Sequence, residues 1–195
     1  MKVLILNGPP GCGKDTIANM LCKVAPVLRG EFKWQLYVET ALLLNEIASD
    51  FSGGLEFREI TPEMVQARNE IRSMKEKPWI GGLSVRRWLQ ITAEMVVKKD
   101  KGSDFFGKAA SDLWYGKYIH HVISDGGFIE EVNAVVDKFG PDNVYVVRLR
   151  RHGYSFGTDT RTYINGSNAL ECDLHLEEDN PLPAVKFLQE LLTDK

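Results

Sequence analysis

The chain carries, near its start, a glycine-rich stretch whose residue types suit the binding of a phosphate group. Residues 8–16 are Gly-Pro-Pro-Gly-Cys-Gly-Lys-Asp-Thr, and they follow the apolar run Val-Leu-Ile-Leu at residues 3–6. Glycines allow successive backbone N–H groups to curve around an anion. Lys14 adds a positive charge that can reach the β- and γ-phosphates of a nucleoside triphosphate. The order of strand, glycine-rich turn, Gly-Lys and helix predicts a phosphate-binding loop that takes ATP or GTP.

One position in this stretch departs from the common pattern. The residue after the lysine is usually a Ser or Thr whose hydroxyl binds Mg²⁺, but here it is Asp15, and Thr16 follows. Carboxylate oxygens also suit Mg²⁺, directly or through water. The hydroxyl of Thr16 is then placed for a phosphate oxygen. The expected donor site comprises Gly8, Gly11, Cys12, Gly13, Lys14, Asp15 and Thr16.

A second candidate follows another apolar strand. The segment His-Val-Ile-Ser at 121–124 leads into Asp125, which is followed by two glycines. A strand that ends in an aspartate places a carboxylate at the carboxyl edge of a sheet, beside the predicted loop. Asp125 is therefore a candidate for holding Mg²⁺ through water or for contacting an acceptor. The alternative is an aspartate that only opens an Asp-Gly turn.

Arginines are dense after the fourth predicted strand, at positions 148, 150, 151 and 161. The planar guanidinium matches a phosphate group through two hydrogen bonds. We expect at least one of the four, Arg148, Arg150, Arg151 or Arg161, to contact phosphate. The pattern leaves open which one does so, and a solvated surface would also tolerate them.

The segment Ser-Val-Arg-Arg-Trp-Leu-Gln at 84–90 places Arg86 and Gln90 on one face of a predicted helix. Such a face can present a guanidinium to a monophosphate and an amide to a base or sugar. Arg87 and Trp88 are expected to point elsewhere, Trp88 into the core. A plain amphipathic helix explains the pattern equally well.

The elements that would position these residues alternate along the chain. Strands are predicted at 2–6, 32–38, 118–124, 144–149 and 174–176. Helices are predicted at 14–24, 40–51, 62–77, 84–99, 104–115, 128–139 and 183–192. Alternating strands and helices predict an α/β fold with a five-stranded parallel sheet covered by helices on both faces. A helical insertion at about 53–99 and a polar segment at about 150–172 interrupt the alternation.

The length of 195 residues and the composition predict a single globular domain. Its core would comprise residues 1–52 and 100–195, on either side of the helical insertion. A net charge of −3 argues against a protein that coats nucleic acid. Three scattered cysteines form neither a metal-binding pattern nor a disulfide framework, which predicts a reduced, intracellular setting. The sequence has no apolar run long enough to span a bilayer and does not start like a signal peptide. We therefore expect a cytoplasmic protein that does not bind membranes.

The pattern Gly-x-x-x-x-Gly-Lys-Asp-Thr at residues 8–16 resembles the phosphate-binding motif of the phage-type deoxynucleoside monophosphate kinases. That family is a branch of the adenylate-kinase-like P-loop kinases, and it typically carries an aspartate at the position of Asp15. Residues 86–90 resemble its Arg-x-x-Leu-Gln helix, and residues 123–131 resemble its strand-Asp-x-Arg-Phe-x-x-Glu element. Gly127 stands where the family often has an arginine. Residues 146–149 and 173–180 resemble the strand before the lid and the closing strand.

The resemblance implies a three-layer P-loop NTPase fold, with an acceptor-binding helical insertion and a lid. It implies ATP and Mg²⁺ as cofactors and nucleotides as substrates. Dimers are common among the related kinases, so a homodimer is possible, but nothing in the sequence marks an interface. The reaction would transfer the γ-phosphoryl group of ATP to a (deoxy)nucleoside monophosphate. Carried over by residue, the catalytic groups are Lys14, Asp125, Arg148 and Arg151, the substrate-binding groups are Arg86, Gln90, Arg150 and Arg161, and the metal-binding groups are Asp15, Thr16 and Asp125.

Two other functions fit the same residues. One is a P-loop kinase for another small acceptor, such as dephospho-coenzyme A, phosphomevalonate or a shikimate-like alcohol. An alcohol acceptor would need a general base, and Asp125 is the candidate. The other is a nucleotide-binding switch with little turnover.

Overall fold

The protein is described by a computed structural model that covers residues 1–52, 59–114, 119–157 and 161–193. The chain divides into two compact units, residues 1–32 with 107–195, and residues 33–106. We call the first the sheet unit and the second the helical unit. Parts of several predicted elements lie outside the described residues: 53–58 of the insertion, 115 and 118 at element ends, and 158–160 of the lid.

The sheet unit is built on a five-stranded parallel sheet with the strand order β2-β3-β1-β4-β5. The prediction of an α/β fold with such a sheet is confirmed. The strands are β1 Val3–Asn7, β2 Val27–Gly30, β3 His120–Ile123, β4 Val144–Arg151 and β5 Leu170–Leu176.

The helices lie between the strands along the chain, except for the last, which follows β5. They are α1 Lys14–Val24, α2 Lys33–Ser52, α3 Pro62–Glu70, α4 Arg72–Lys75, α5 Val85–Ile91, α6 Lys98–Lys101, α7 Phe105–Asp112, α8 Ile129–Phe139 and α9 Leu182–Thr193. Short 3₁₀ turns occupy Ile80–Gly82 and Pro141–Asn143, and a π-helical turn occupies Thr92–Val97. Within the described ranges, the helices are too short or too polar to cross a membrane.

The strand β1 is central because its residues are apolar on both faces. Val3, Leu4, Ile5 and Leu6 are fully buried. Side chains alternate between the faces of a strand, so Leu4 and Leu6 pack in one apolar cluster and Ile5 in the other. The first cluster includes residues of α1 and α9, and the second includes residues of α8. The sheet is therefore covered by helices on both faces.

The register of the parallel strands brings three strand ends together. Leu4 pairs with Val122 of β3 and with Tyr145 of β4, and Asn7 lies beside Arg148. The carboxyl ends of β1, β3 and β4 therefore meet at one edge of the sheet. We call it the carboxyl edge.

The predicted strand at 32–38 is wrong. Residues 33–52 form the long helix α2, and the second strand is the short segment β2, which the sequence analysis missed. Tyr37, Ala41 and Leu44 of α2 are buried at helical spacing. The local alternation of apolar and polar residues at 32–38 was a fragment of this longer helical pattern.

The helical unit packs around its own apolar cluster. Its members come from α2, α3 and α5 and the turns beside them, and they include Tyr37, Leu44, Val65, Val85, Trp88 and Leu89. The indole N–H of Trp88 donates to the carbonyl of Ile80 at 2.9 Å. The core position predicted for Trp88 is confirmed. The predicted helix at 62–77 is interrupted at Ile71, between α3 and α4.

Trp114 packs on the face of the sheet opposite to α1. Its ring stacks on His121 at 5.4 Å and on Phe139 at 6.0 Å between centroids. A methyl group on Gly30 would lie 2.9 Å from the indole nitrogen. Glycine at the end of β2 therefore makes room for this ring.

Candidate functional site

The glycine-rich loop, residues 8–13, joins β1 to α1 at the carboxyl edge. Gly11 and Gly13 adopt φ angles of 76° and 111°, which favour glycine. A methyl group on Gly8 would lie 2.9 Å from the sulfur of Cys12 and 3.1 Å from the carbonyl oxygen of Leu149. Glycine is thus required at 11 and 13 by the backbone and at 8 by the neighbouring strand β4.

The ammonium group of Lys14 lies within this loop. Its Nζ donates to the carbonyl oxygens of Gly8 at 2.6 Å and Pro9 at 2.7 Å. The whole residue is only 9% exposed. Burial raises the pKa of the Cys12 thiol, which the Lys14 charge partly offsets. Cys12 is therefore a small, neutral and buried residue that fills the turn.

The carboxylate of Asp15 contacts two groups from neighbouring strands. Its Oδ1 accepts a hydrogen bond from the Ser124 hydroxyl at 2.6 Å and forms an ion pair with the guanidinium of Arg29. Arg29 also donates to Ser124 Oγ at 2.9 Å and to Asn19 Oδ1 at 2.5 Å. Arg29 was not predicted as a site residue, because nothing in the local pattern of β2 links it to the loop.

The residues expected to bind Mg²⁺ supply oxygen donors alone. Asp15 and Asp125 offer carboxylates and Thr16 a hydroxyl, which suits a hard cation. Among the described residues, no three His, Cys, Asp or Glu side chains form a group that could hold a metal ion. Mg²⁺ commonly uses one or two carboxylates together with substrate phosphates. The donor set therefore fits a metal shared with a nucleotide, although the Arg29 charge beside Asp15 weakens that carboxylate as a direct ligand.

Asp125 follows β3 at the carboxyl edge, as predicted. Its Oδ1 accepts a hydrogen bond from the backbone N–H of Phe32 at 3.1 Å. This contact links the segment after β3 to the segment after β2. The carboxylate is thereby oriented by the backbone of a neighbouring connection.

Asn7, the last residue of β1, joins three segments of the carboxyl edge. Its amide donates to the carbonyl oxygens of Gly126 at 3.4 Å and Thr162 at 3.3 Å. Its Oδ1 accepts from the N–H of Ile164 at 3.0 Å. Asn7 is only 1% exposed, and the sequence analysis overlooked it. A polar residue between an apolar strand and a glycine was the signal available.

Arg148 is held by two carboxylates of β5. It donates to Glu171 at 2.9 Å and to Asp173 at 3.0 Å. Burial opposes the charge on Glu171, but hydrogen bonds from Ser167 and the charge of Arg148 lower its pKa overall. The pKa of Asp173 is likewise lowered, against the effect of burial, by Arg150 and Arg148. Arg148 is thus a member of an ion-pair network between β4 and β5.

Arg150 and Arg151 each lie over a tyrosine ring. The guanidinium of Arg150 is 3.6 Å from the centroid of Tyr163 and also pairs with Asp173 at 2.8 Å. That of Arg151 is 4.7 Å from the centroid of Tyr154.

Tyr154 extends this arrangement to the glycine-rich loop. A methyl group on Gly11 would lie 3.3 Å from Cε1 of Tyr154, so the ring lies against the loop. Arg151 also pairs with Asp179 at 3.4 Å. Of the three β4 arginines, Arg151 is the one connected to the loop through an aromatic contact.

Arg161 lies beside the segment that follows β3. The space above Gly127 is filled by the Cγ and Cδ atoms of its side chain. Gly127 is the position at which the resemblance led us to expect an arginine. The structure therefore brings an arginine from another part of the chain to that place.

The two residues expected to bind an acceptor belong to the helical unit. Arg86 pairs with Glu76 at 3.2 Å, and both side chains are more than half exposed. Gln90 is exposed, and its Oε1 is 3.5 Å from a guanidinium nitrogen of Arg87. The expectation that Arg87 points away from Gln90 is wrong, because residues three apart on a helix are neighbours.

No family model matches the chain, and no curated protein matches it either. The geometry brings the glycine-rich loop, Lys14, Asp15, Asp125 and the arginines of β4 to one edge of one sheet. Arg86 and Gln90 are part of the other unit.

Proposed function

We propose that this protein is an ATP-dependent (deoxy)nucleoside monophosphate kinase of the P-loop type. The observation that carries the proposal is the position of the Lys14 ammonium, 2.6 and 2.7 Å from two carbonyl oxygens of the glycine-rich loop. The loop precedes the first turn of α1, at the carboxyl edge of a parallel sheet. Open α/β sheets bind ligands at this edge, and such loops bind phosphates.

Phosphoryl transfer requires two aligned substrates and neutralisation of the charge on the transferred group. In the proposed reaction, Lys14 and the loop amides bind the donor phosphates. Asp15, Thr16 and Asp125 would hold Mg²⁺, which neutralises phosphate charge when bound. A general base is unnecessary, because the acceptor phosphate oxygen is already ionised at neutral pH.

The acceptor would be bound by Arg86 and Gln90, and the arginines of β4 and the following segment would contact phosphate. Support for the acceptor assignment is the resemblance of 86–90 to a known helix and the exposure of both side chains. Support for the arginines is their number at one strand end. Arg151 is the one whose ion pair exchanges most readily for a phosphate contact, because the side chain of its partner Asp179 is 92% exposed.

The test is release of ADP from ATP and Mg²⁺ across a panel of ribo- and deoxynucleoside monophosphates, with a reaction lacking acceptor as control. The proposal expects release that depends on one or more of these acceptors. Slow hydrolysis that no acceptor stimulates would contradict it and favour the nucleotide-binding switch.

A kinase for an alcohol acceptor is the second candidate, favoured by the oriented carboxylate of Asp125. An alcohol must lose its proton during transfer, so Asp125→Asn would then lower kcat by about 10²- to 10⁴-fold. With a nucleotide acceptor the same variant should retain a larger share of kcat. Comparison of wild type and variant on each accepted substrate separates the two reactions.

A further inference from the structure

The side chain of Arg161 occupies the space that any side chain at position 127 would need. A methyl group on Gly127 would lie 2.4 Å from Cδ, 2.9 Å from Cγ and 3.6 Å from Cβ of Arg161. These are the three nearest heavy atoms, and all belong to one residue. Separations below 3.0 Å are not tolerated, so an alanine at 127 would displace Arg161.

The backbone does not require glycine at position 127. Gly127 is not among the glycines with positive φ, in contrast to Gly11 and Gly13. Its neighbour Gly126 is required for another reason, since a methyl group there would lie 2.4 Å from Cγ2 of Ile5 in the core. At 127, the group that glycine accommodates is the stem of Arg161.

The segments that carry Gly127 and Arg161 are fastened to each other by a buried side chain. Asn7 binds the carbonyl oxygen of Gly126 on one side and the backbone of Thr162 and Ile164 on the other. Ile164 is itself buried in the apolar cluster beneath. The contact between Arg161 and Gly127 is therefore part of the fixed structure of the carboxyl edge.

We propose that Gly127 is a positioning residue that seats Arg161 at the carboxyl edge for contact with a phosphate group of the bound nucleotide. The inference rests on the proposed function and selects one arginine of the four. An arginine side chain that packing already fixes loses less conformational entropy when it binds phosphate. Each contact of its guanidinium therefore contributes more to the binding free energy. The three arginines of β4 form ion pairs with Glu171, Asp173 and Asp179, and the packing of the stem against Gly127 is what distinguishes Arg161.

The test is a double-mutant cycle on the affinity for inorganic tripolyphosphate, measured by titration calorimetry on the full chain. The four proteins are wild type, Arg161→Ala, Gly127→Ala and the double variant. Loss of a charge-assisted contact predicts an affinity about tenfold or more lower for Arg161→Ala. Gly127→Ala should weaken binding about three- to tenfold by misplacing the arginine, and it should cause no further loss once Arg161 is absent.

Thermal unfolding of the same proteins separates positioning from folding. The atoms that a methyl at 127 would meet are those of a flexible side chain, so Gly127→Ala should keep the melting temperature close to that of wild type. Ser155→Ala is the control, because it changes an exposed side chain in the β4–β5 connection that carries Arg161. Its tripolyphosphate affinity should remain that of wild type.

The inference is overturned if Gly127→Ala binds tripolyphosphate like wild type, or if its effect persists undiminished in the Arg161→Ala background. Absence of binding by wild type also overturns it. If the two substitutions are coupled in the affinity cycle but ADP release does not depend on an acceptor, the kinase proposal is rejected. Arg161 would then still be an anion-binding residue positioned by Gly127. Acceptor-dependent release with an additive cycle would reject the inference alone.

Discussion

The carboxyl edge of the sheet unit and the exposed face of α5 in the helical unit hold their candidate residues in different ways. At the edge, Lys14 and Asn7 are buried and bonded to backbone atoms. On α5, the Arg86 side chain is 55% exposed and pairs with a glutamate that is 63% exposed. The fold itself fixes these side chains at the edge, whereas the side chains on the exposed face of α5 lie in solvent. Substitutions at the edge should therefore cost more than substitutions in the helical unit.

The largest effect is expected for Lys14→Ala. If Lys14 binds the donor phosphates as proposed, removing its charge should lower kcat/KM about 10³-fold, on the scale of losing one fixed transition-state donor. Steady-state ADP release measures this. Lys23→Ala, at the exposed end of the same helix, is the control and should retain full activity. Equal activity of the two variants would remove the edge from the catalytic site.

Next in size is the change Glu171→Gln, which acts on stability. Glu171 accepts from Ser167 and pairs with Arg148, so the variant should lower the free energy of unfolding by about 2 kcal/mol. Denaturant unfolding at pH 7 measures the loss, with the exposed Glu178→Gln as control. A loss no greater than that of the control would mean that the β4–β5 ion pairs do not stiffen the edge.

The same carboxylate predicts a pH dependence. Its pKa is lower in the folded protein than its ordinary value of about 4.3. It therefore contributes stability above that value, and the contribution is lost as the pH falls through the lower folded pKa. The difference in the free energy of unfolding between wild type and Glu171→Gln should have its full size at pH 7 and should decrease below about pH 4. A difference that stays constant down to pH 3 would contradict the assignment.

A smaller effect is expected for Arg86→Ala in the helical unit. If Arg86 binds the acceptor phosphate, KM for the acceptor should rise about tenfold with little change in KM for ATP. Lys99→Ala, which removes an exposed cation of the same unit, is the control and should leave the acceptor KM unchanged. An unchanged acceptor KM would remove α5 from the acceptor site and confine the predicted residues to the edge.

The smallest effect, and one of opposite sign, is expected for Thr92→Val. The hydroxyl of Thr92 is buried and has no hydrogen-bond partner within the described structure. An isosteric methyl should raise the free energy of unfolding by up to about 1 kcal/mol. In contrast, Thr61→Val should lower it by about 1 kcal/mol, because Thr61 caps α3 by accepting from Met64. Calorimetric unfolding of both variants checks the sign.

The parts of the fold that were predictable from sequence are those specified by neighbouring residues. The segment from β1 through α1 has a continuous apolar run, glycines that punctuate it, and a helix that begins at Lys14 as expected. The strand β2 was missed because it is only four residues long and carries Arg29. Apolar and polar residues alternate at the start of α2 as they do in a strand. The helical spacing of the apolar residues becomes clear only over the whole length of α2.

The candidate site was predictable only where a motif is contiguous. Lys14 and Asp125 follow directly from strands and turns, so their places at the edge could be deduced. The partners of Arg148 could not, because they depend on how β5 registers against β4. The seat of Arg161 depends on a contact between positions 34 apart in sequence, which no local pattern contains.

The stacking of Trp114 gives the molecule an internal optical probe. Three of the four tryptophans, Trp34, Trp79 and Trp88, belong to the helical unit, and Trp114 alone to the sheet unit. Replacing the first three with phenylalanine would leave a fluorophore that reports on the sheet, beside β2 and β3. Nucleotide titration and denaturation of that variant would then be observed from one unit, independently of the other.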